Sequence, residues 1–335
     1  MTNVDDRLAR AMTCVAATMA RYPLPGAVVG VLDLGTGARA VAALGHARIV
    51  PHSEAMRRDT VFDLASLTKP VFTATQLLRL VEQGRTTLDT QLCEIIPDLR
   101  QYNVADAWER RLTLRQCLTH QTKLPAVAPI YTLGADPARL RAYVLQHEWC
   151  PGAPCYSDIG YILLGIALER LHDAPLDALD PGFGLGFHPD PAACAATEHC
   201  RWRDRILCGE VHDENAAALG LAGHAGLFGT ADGLLDYARA LMQGELLGPD
   251  SLAAMRARTP NNRTIGWEAQ TPGWLGGAAC SDTTIGHTGF TGTGLWLDFD
   301  RGLVWTLLTN RVHPSRHVET GIGALRRAVG EAVCR

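Results

Sequence analysis

Apolar and polar positions alternate along the chain with two different periods. Residues 5–21 repeat apolar positions at helical spacing between charges, which predicts an amphipathic helix. The run Gly26-Ala27-Val28-Val29-Gly30-Val31-Leu32-Asp33-Leu34 is almost continuously apolar and stops at Gly35-Thr36-Gly37. It predicts a buried strand, a turn and an antiparallel return over 38–45. Thr60-Val61-Phe62-Asp63-Leu64-Ala65 places apolar residues at alternate positions, as a short extended approach would. Beyond it Val71, Phe72, Leu77, Leu78, Leu80 and Val81 recur with roughly helical spacing. Pro70 falls in or near the first turn of that helix, and Gly84 stands where a left-handed cap is expected. Helical periods dominate from Ser66 to about Glu169, including Asp158 to Leu171.

Residues 173–212 break the pattern. They carry Pro, Gly, His, Asp and Cys without a clean period, as expected of a long, partly irregular insert near a cleft. Residues 293–299 and 303–310 then run apolar or alternate on either side of Asp300-Arg301-Gly302, a hairpin signal, and residues from about 316 to 333 close the chain as a helix. Strands at both ends with helices between predict an α/β (α+β) fold. Its antiparallel sheet is built from N- and C-terminal segments flanked by helices, with an inserted, mainly helical lobe. Residues 1–65 with 215–335 would form the sheet lobe and 66–214 the helical lobe, as a single composite catalytic unit.

Composition narrows the function classes. The 335 residues are 47% hydrophobic, enough for a large core, and the net charge is −4. Lys and Arg form no extended run, which disfavours nucleic-acid and membrane partners and leaves a small-molecule substrate. The ten cysteines are scattered, and reduced, buried thiols are the simpler expectation. The N-terminal segment reads as neither signal peptide nor membrane span, so a cytoplasmic location is expected. No cofactor is implied, and the oligomeric state is left open.

The chemistry starts at Ser66-Leu67-Thr68-Lys69. On a helix, residues three apart share a face, so the Lys69 amine can hang over the Ser66 hydroxyl. Unpaired N–H groups at a helix start would favour negative charge developing there.

Two further elements follow in order, Pro151-Gly152-Ala153-Pro154-Cys155-Tyr156-Ser157-Asp158 and Gly286-His287-Thr288-Gly289-Phe290-Thr291-Gly292. With Ser66-Leu67-Thr68-Lys69 they resemble the motifs of the serine β-lactamase and penicillin-binding-protein superfamily, in its class C β-lactamase-like, esterase-type branch. Residues Leu112 to Pro125 resemble the segment between that family's first two motifs, with Lys123 where a glycine is usual. The resemblance spans about Gly26 to the C-terminus and implies a covalent acyl-enzyme at Ser66. It also implies that Lys69 and Tyr156 share the proton work and that the backbone N–H groups of Ser66 and Phe290 hold the oxyanion. Gly289 would let substrate approach the strand edge.

Two departures bear on the substrate. His287 and Thr288 stand where lysine and threonine are usual, and a neutral imidazole anchors a carboxylate more weakly than an ammonium. Asp158 replaces an asparagine, which removes an amide donor and keeps Lys69 charged, favouring Tyr156 as base. Both shift the expectation towards an esterase on a small or medium acyl ester. Acyl transfer on the same scaffold, β-lactam or D-amino-acid peptide hydrolysis, and a non-catalytic binding role are the alternatives. His212, Asp213 and Glu214 could line the cleft or, with Cys208, bind a metal, but the spacing fits no standard zinc pattern and loop-fixing hydrogen bonds are expected instead. Trp149, Trp202, Trp267 and Trp274 could wall the pocket or pack in the core.

Overall fold

The structure is a computed structural model describing residues 3–335. The amphipathic segment forms helix α1, Val4–Met19, with Asn3 capping its first turn. The apolar run forms β1, Gly26–Asp33, and returns as β2, Arg39–Arg48. A two-residue strand β3, Glu54–Ala55, lies at the edge of β2.

At the other end of the chain β8 (Glu268–Ala269), β9 (Ile285–Thr288), β10 (Gly294–Asp298) and β11 (Leu303–Thr309) complete a seven-stranded sheet in the order β3-β2-β1-β11-β10-β9-β8. Every pairing is antiparallel, and β1 meets β11 with Val29 opposite Leu307. The two ends of the chain therefore share one sheet, as their apolar patterns predicted.

Strand β1 reads as continuously apolar because both of its faces are covered. Ala27, Val29 and Val31 join a cluster with α1 and the last helix, α10 (Ile322–Cys334), while Val28 and Leu32 join the larger core on the opposite face. Trp296 and Trp305 sit opposite each other on β10 and β11, their rings stacked at 5.8 Å. Helix α8, Ala231–Met242, starts at its Thr230 cap and packs on the β1–β11 face.

The remaining core is helical, centred on α6, Asp158–His172. Its Gly165 lies against Gly223, where an added Cβ would come within 2.6 Å of the Gly223 nitrogen. The insert is irregular, holding only short turns and the ribbon β5 (His199–Cys200) with β6 (Arg205–Ile206).

Three expectations are corrected. The helix after Ser66 is not regular from its start: residues 65–67 form a 3₁₀ turn, Lys69–Ala74 is π-helical, and α2 proper is Thr75–Glu82. Pro70 offers no N–H there, and its carbonyl accepts the Thr75 hydroxyl five residues on. The closing helix begins at Ile322 rather than near 316, after Gly321 at φ 68°. All ten cysteines are free thiols, but only Cys117, Cys194, Cys200 and Cys280 are buried, and Cys150 is exposed.

Candidate active site

The extended approach to Ser66 is the two-residue strand β4, Phe62–Asp63, paired with β7, Phe228–Gly229. The chain then turns sharply, with Ala65 at φ 48°, a left-handed conformation that costs a non-glycine residue energy. Asp63 holds the turn. One of its carboxylate oxygens accepts the Ala65 N–H at 2.8 Å, and the other accepts the His212 N–H at 2.6 Å. The carboxylate is buried, and that burial pushes its pKa up despite these donors.

Threonines tie the turn to the β9–β10 loop. Thr291 donates to the Asp63 carbonyl at 2.8 Å and Thr293 to that of Leu64 at 3.1 Å. Gly289 fits between them only without a side chain, since an added Cβ would lie 2.1 Å from Thr293 Oγ1 and 2.5 Å from the Leu64 carbonyl oxygen.

Lys69 is fully buried beneath this turn. Its ammonium donates to Ser66 Oγ at 2.9 Å and to the His224 carbonyl at 3.0 Å, and it lies 2.8 Å from Asp158 Oδ1. Burial works to discharge the ammonium, but the charge of Asp158 and then the contribution of Tyr156 outweigh it and hold the Lys69 pKa above its ordinary value. The segment carrying the His224 carbonyl is fixed by Thr73 on the Gly223 carbonyl and by the Leu227 N–H on Thr68.

Tyr156 precedes α6 and projects into the same cleft. Ser157 caps the helix, with its N–H on His120 Nδ1 at 3.0 Å and its hydroxyl on the Pro125 carbonyl. His120 packs against the Tyr156 ring at 4.3 Å. Two cations face the Tyr156 ring, Lys69 Nζ at 4.9 Å and the Arg263 guanidinium at 5.1 Å.

His287 is 4% exposed, with its ring 5.9 Å from that of Tyr156. Burial, then Arg263 and Lys69, push its pKa well below the ordinary value, so the ring is neutral. Nδ1 lies 3.0 Å from the Thr288 carbonyl oxygen, an acceptor, so Nδ1 carries the proton and Nε2 is a buried lone pair without a partner among the described residues. The neutral ring was expected; its commitment of the one N–H to the backbone was not.

Ser66, Tyr156, His287, Thr288, Gly289 and Phe290 border one cavity of about 510 Å³. Asp158 stands behind it on Lys69. The same cavity is bordered by Arg263, Arg311 and Arg326, against one carboxylate, Glu268. None of the three arginines was singled out in the sequence, where each is an isolated residue far from the motifs. Asp63 and His120 were passed over too, although their places beside the first motif and beside Leu118-Thr119 offered a positional hint.

The segment after the insert is spent on loop fixing. Asp213 accepts from Ala216 N and lies 2.8 Å from His224 Nε2, while His212 and Arg316 share Glu198, and Arg316 also binds Glu214. Of the four tryptophans, Trp149, Trp267 and Trp274 pack in the core and only Trp202 is exposed.

Comparison with known proteins bears on the family and the fold. The family model described as Beta-lactamase matches residues 12–329. An N-acetylmuramyl-L-alanine amidase of Bacillus subtilis (strain 168) is 30% identical, over 86% of this chain and 78% of its own. A putative D-alanyl-D-alanine carboxypeptidase of Salmonella agona (strain SL483) is 28% identical, over 79% of this chain and 72% of its own. The solved structure of EstCE1, described as a hydrolase with promiscuous acyltransferase activity, shares the fold with a TM-score of 0.74 at 19% identity, over 99% of both chains.

Proposed function

The chain belongs to the Beta-lactamase family of serine hydrolases, and from that premise we propose that it cleaves an acyl bond in substrates carrying an anionic group beside the scissile carbonyl. The observation that carries this reading is Arg263, which borders the Ser66 cavity over the Tyr156 ring and has no ion-pair partner among the described residues. Arg311, which borders the same cavity, adds a second guanidinium. A guanidinium matches a carboxylate in shape and charge, so these residues supply the anchor that a neutral His287 does not.

In the reaction Ser66 Oγ bonds to the substrate carbonyl carbon and its proton passes to the Tyr156 oxygen. Lys69 is already charged and has no lone pair to offer, so it acts as the cation beside that oxygen. The oxyanion is held by the backbone N–H groups of Ser66 and Phe290. The leaving group departs with the proton from Tyr156, and water repeats the sequence to release the acid.

A second reading is an esterase on small or medium acyl esters without an anionic group. It is favoured by the Lys69–Asp158 pair, since a carboxylate engaged with an ammonium offers no amide donor to a substrate's peptide carbonyl.

Both readings are tested by one panel of p-nitrophenyl esters and p-nitroanilides, each made neutral and carboxylate-bearing. The expected result is a kcat/KM advantage of about tenfold or more for the carboxylate-bearing members, lost in Arg263→Ala. Faster turnover of the neutral esters, unchanged in Arg263→Ala, would establish the second reading instead. Adding alcohols or amines to the same reactions shows whether an acceptor other than water takes the acyl group.

A further inference from the structure

Arg326 is the most deeply buried guanidinium at the cleft. It lies on α10, is 7% exposed, and has no carboxylate partner among the described residues. Its Nη2 donates to the carbonyl of Gly289 at 2.7 Å and to that of Thr293 at 2.8 Å, while Nε is buried with no partner among the described residues. Burying an unpaired cation costs several kcal/mol, so the position calls for a reason beyond packing. The cost is visible in its acidity: burial, then Arg311, push the pKa down to about 9.

Satisfying the two carbonyls is not that reason. Gly289 O already accepts the Gly292 N–H at 3.1 Å, and Thr293 O already accepts the Gly289 N–H at 2.9 Å. The guanidinium is a second donor to each. What distinguishes Gly289 O is the peptide to which it belongs. In the trans Gly289–Phe290 peptide the carbonyl and the Phe290 N–H point in opposite directions. A cation on the carbonyl oxygen therefore fixes the direction of the Phe290 N–H and withdraws electron density from it.

We infer that Arg326 is a positioning residue for oxyanion stabilisation, acting through the Gly289–Phe290 peptide to aim and polarise the Phe290 N–H at the developing negative charge. The inference rests on the reading above, in which Ser66 is acylated with Phe290 as an oxyanion donor. As Ser66 Oγ bonds to the carbonyl carbon, the electron pair of the C=O bond moves to oxygen, and this N–H meets it. Arg326 itself touches no reacting atom.

The test uses full-length wild type, Arg326→Met and Arg326→Lys, with folding checked by circular dichroism. Affinity for an arylboronic acid that forms a tetrahedral adduct on Ser66 is compared with kcat and KM on one neutral and one carboxylate-bearing ester. The expected result for Arg326→Met is a fall in kcat of about tenfold or more on both esters, with little change in KM and a parallel loss of boronate affinity. Arg326→Lys keeps the charge and recovers part of both, and stands in if the methionine variant does not fold.

A loss confined to KM on the carboxylate-bearing ester would overturn the inference and make Arg326 a direct substrate anchor, leaving the proposed function standing. Equal boronate affinity in wild type and variants would also overturn it. Absence of any Ser66 boronate adduct in wild type would bring down the acyl-serine reading, and this inference with it.

Discussion

Lys69 Nζ lies 2.8 Å from Asp158 Oδ1, and in the mechanism proposed above this pair decides which group accepts the Ser66 proton. A buried lysine alone tends to lose its charge, whereas here the net effect raises the Lys69 pKa above 10.5. The sign for stability follows: the pair's contribution is fully present below the unfolded lysine value and is lost only as pH rises through the higher folded value. Asp158→Asn removes the largest raising influence and leaves burial to pull the value down. The rate of Ser66 labelling by a fluorophosphonate, followed from about pH 6 to about pH 10, should show no Lys69 ionisation in wild type and one within range in Asp158→Asn. Superimposable profiles would show that Asp158 does not hold the lysine charged.

Tyr156→Phe removes the proposed base and keeps the aromatic ring. The variant gives up the phenol's hydrogen bond with the Lys69 ammonium, while the ring keeps its contact with His120. The expected loss in kcat is about a hundredfold or more, with the thermal midpoint nearly unchanged. Retained turnover would move the base elsewhere.

The legible part of this molecule was the part whose signal is local. Ser66, Lys69, Tyr156 and His287 announce themselves because each lies in a short ordered motif, and β1 and β11 because strands covered on both faces are continuously apolar. The π-helical turns after Lys69 were not legible, since Val71 and Phe72 face the core much as they would in an α-helix. The arginines were hidden for a different reason. Arg263, Arg311 and Arg326 meet only where the β8–β9 edge, the end of β11 and α10 converge, and no spacing along the chain marks that convergence.

Arg311 gives the cleft a second handle that can be checked separately. Its Nε donates to the Phe290 carbonyl at 2.8 Å and its guanidinium lies 4.5 Å from the Phe290 ring centre. Arg311→Ala should therefore lower kcat as well as raise KM for carboxylate-bearing esters, whereas Arg263→Ala should act mainly on KM, each by about tenfold. Steady-state kinetics on paired neutral and anionic substrates separates the two. An equal effect of both variants on neutral substrates would count against an anion-binding role.

Glu198 anchors the loop that brings His212 to Asp63. Burial opposes its ionisation, but hydrogen bonds from His212 and Arg316 prevail and hold its pKa down to about 2. A depressed carboxylate stabilises the fold above its unfolded value, near 4.5, and that contribution is lost as pH falls towards about 2. Glu198→Gln should therefore cost about 2 kcal/mol at neutral pH. The gap from wild type should close as pH falls through that window, as read by denaturant unfolding. A gap independent of pH would show that the carboxylate's charge is not what holds the loop.

The mechanism proposed for this cleft passes through a covalent acyl-enzyme on Ser66. Intact-mass spectrometry after brief exposure to an activated ester, followed by peptide mapping, tests it most directly. The predicted result is one acyl adduct per chain on Ser66, absent in Ser66→Ala and slow to form in Tyr156→Phe. An adduct on another residue, or turnover that survives Ser66→Ala, would contradict it.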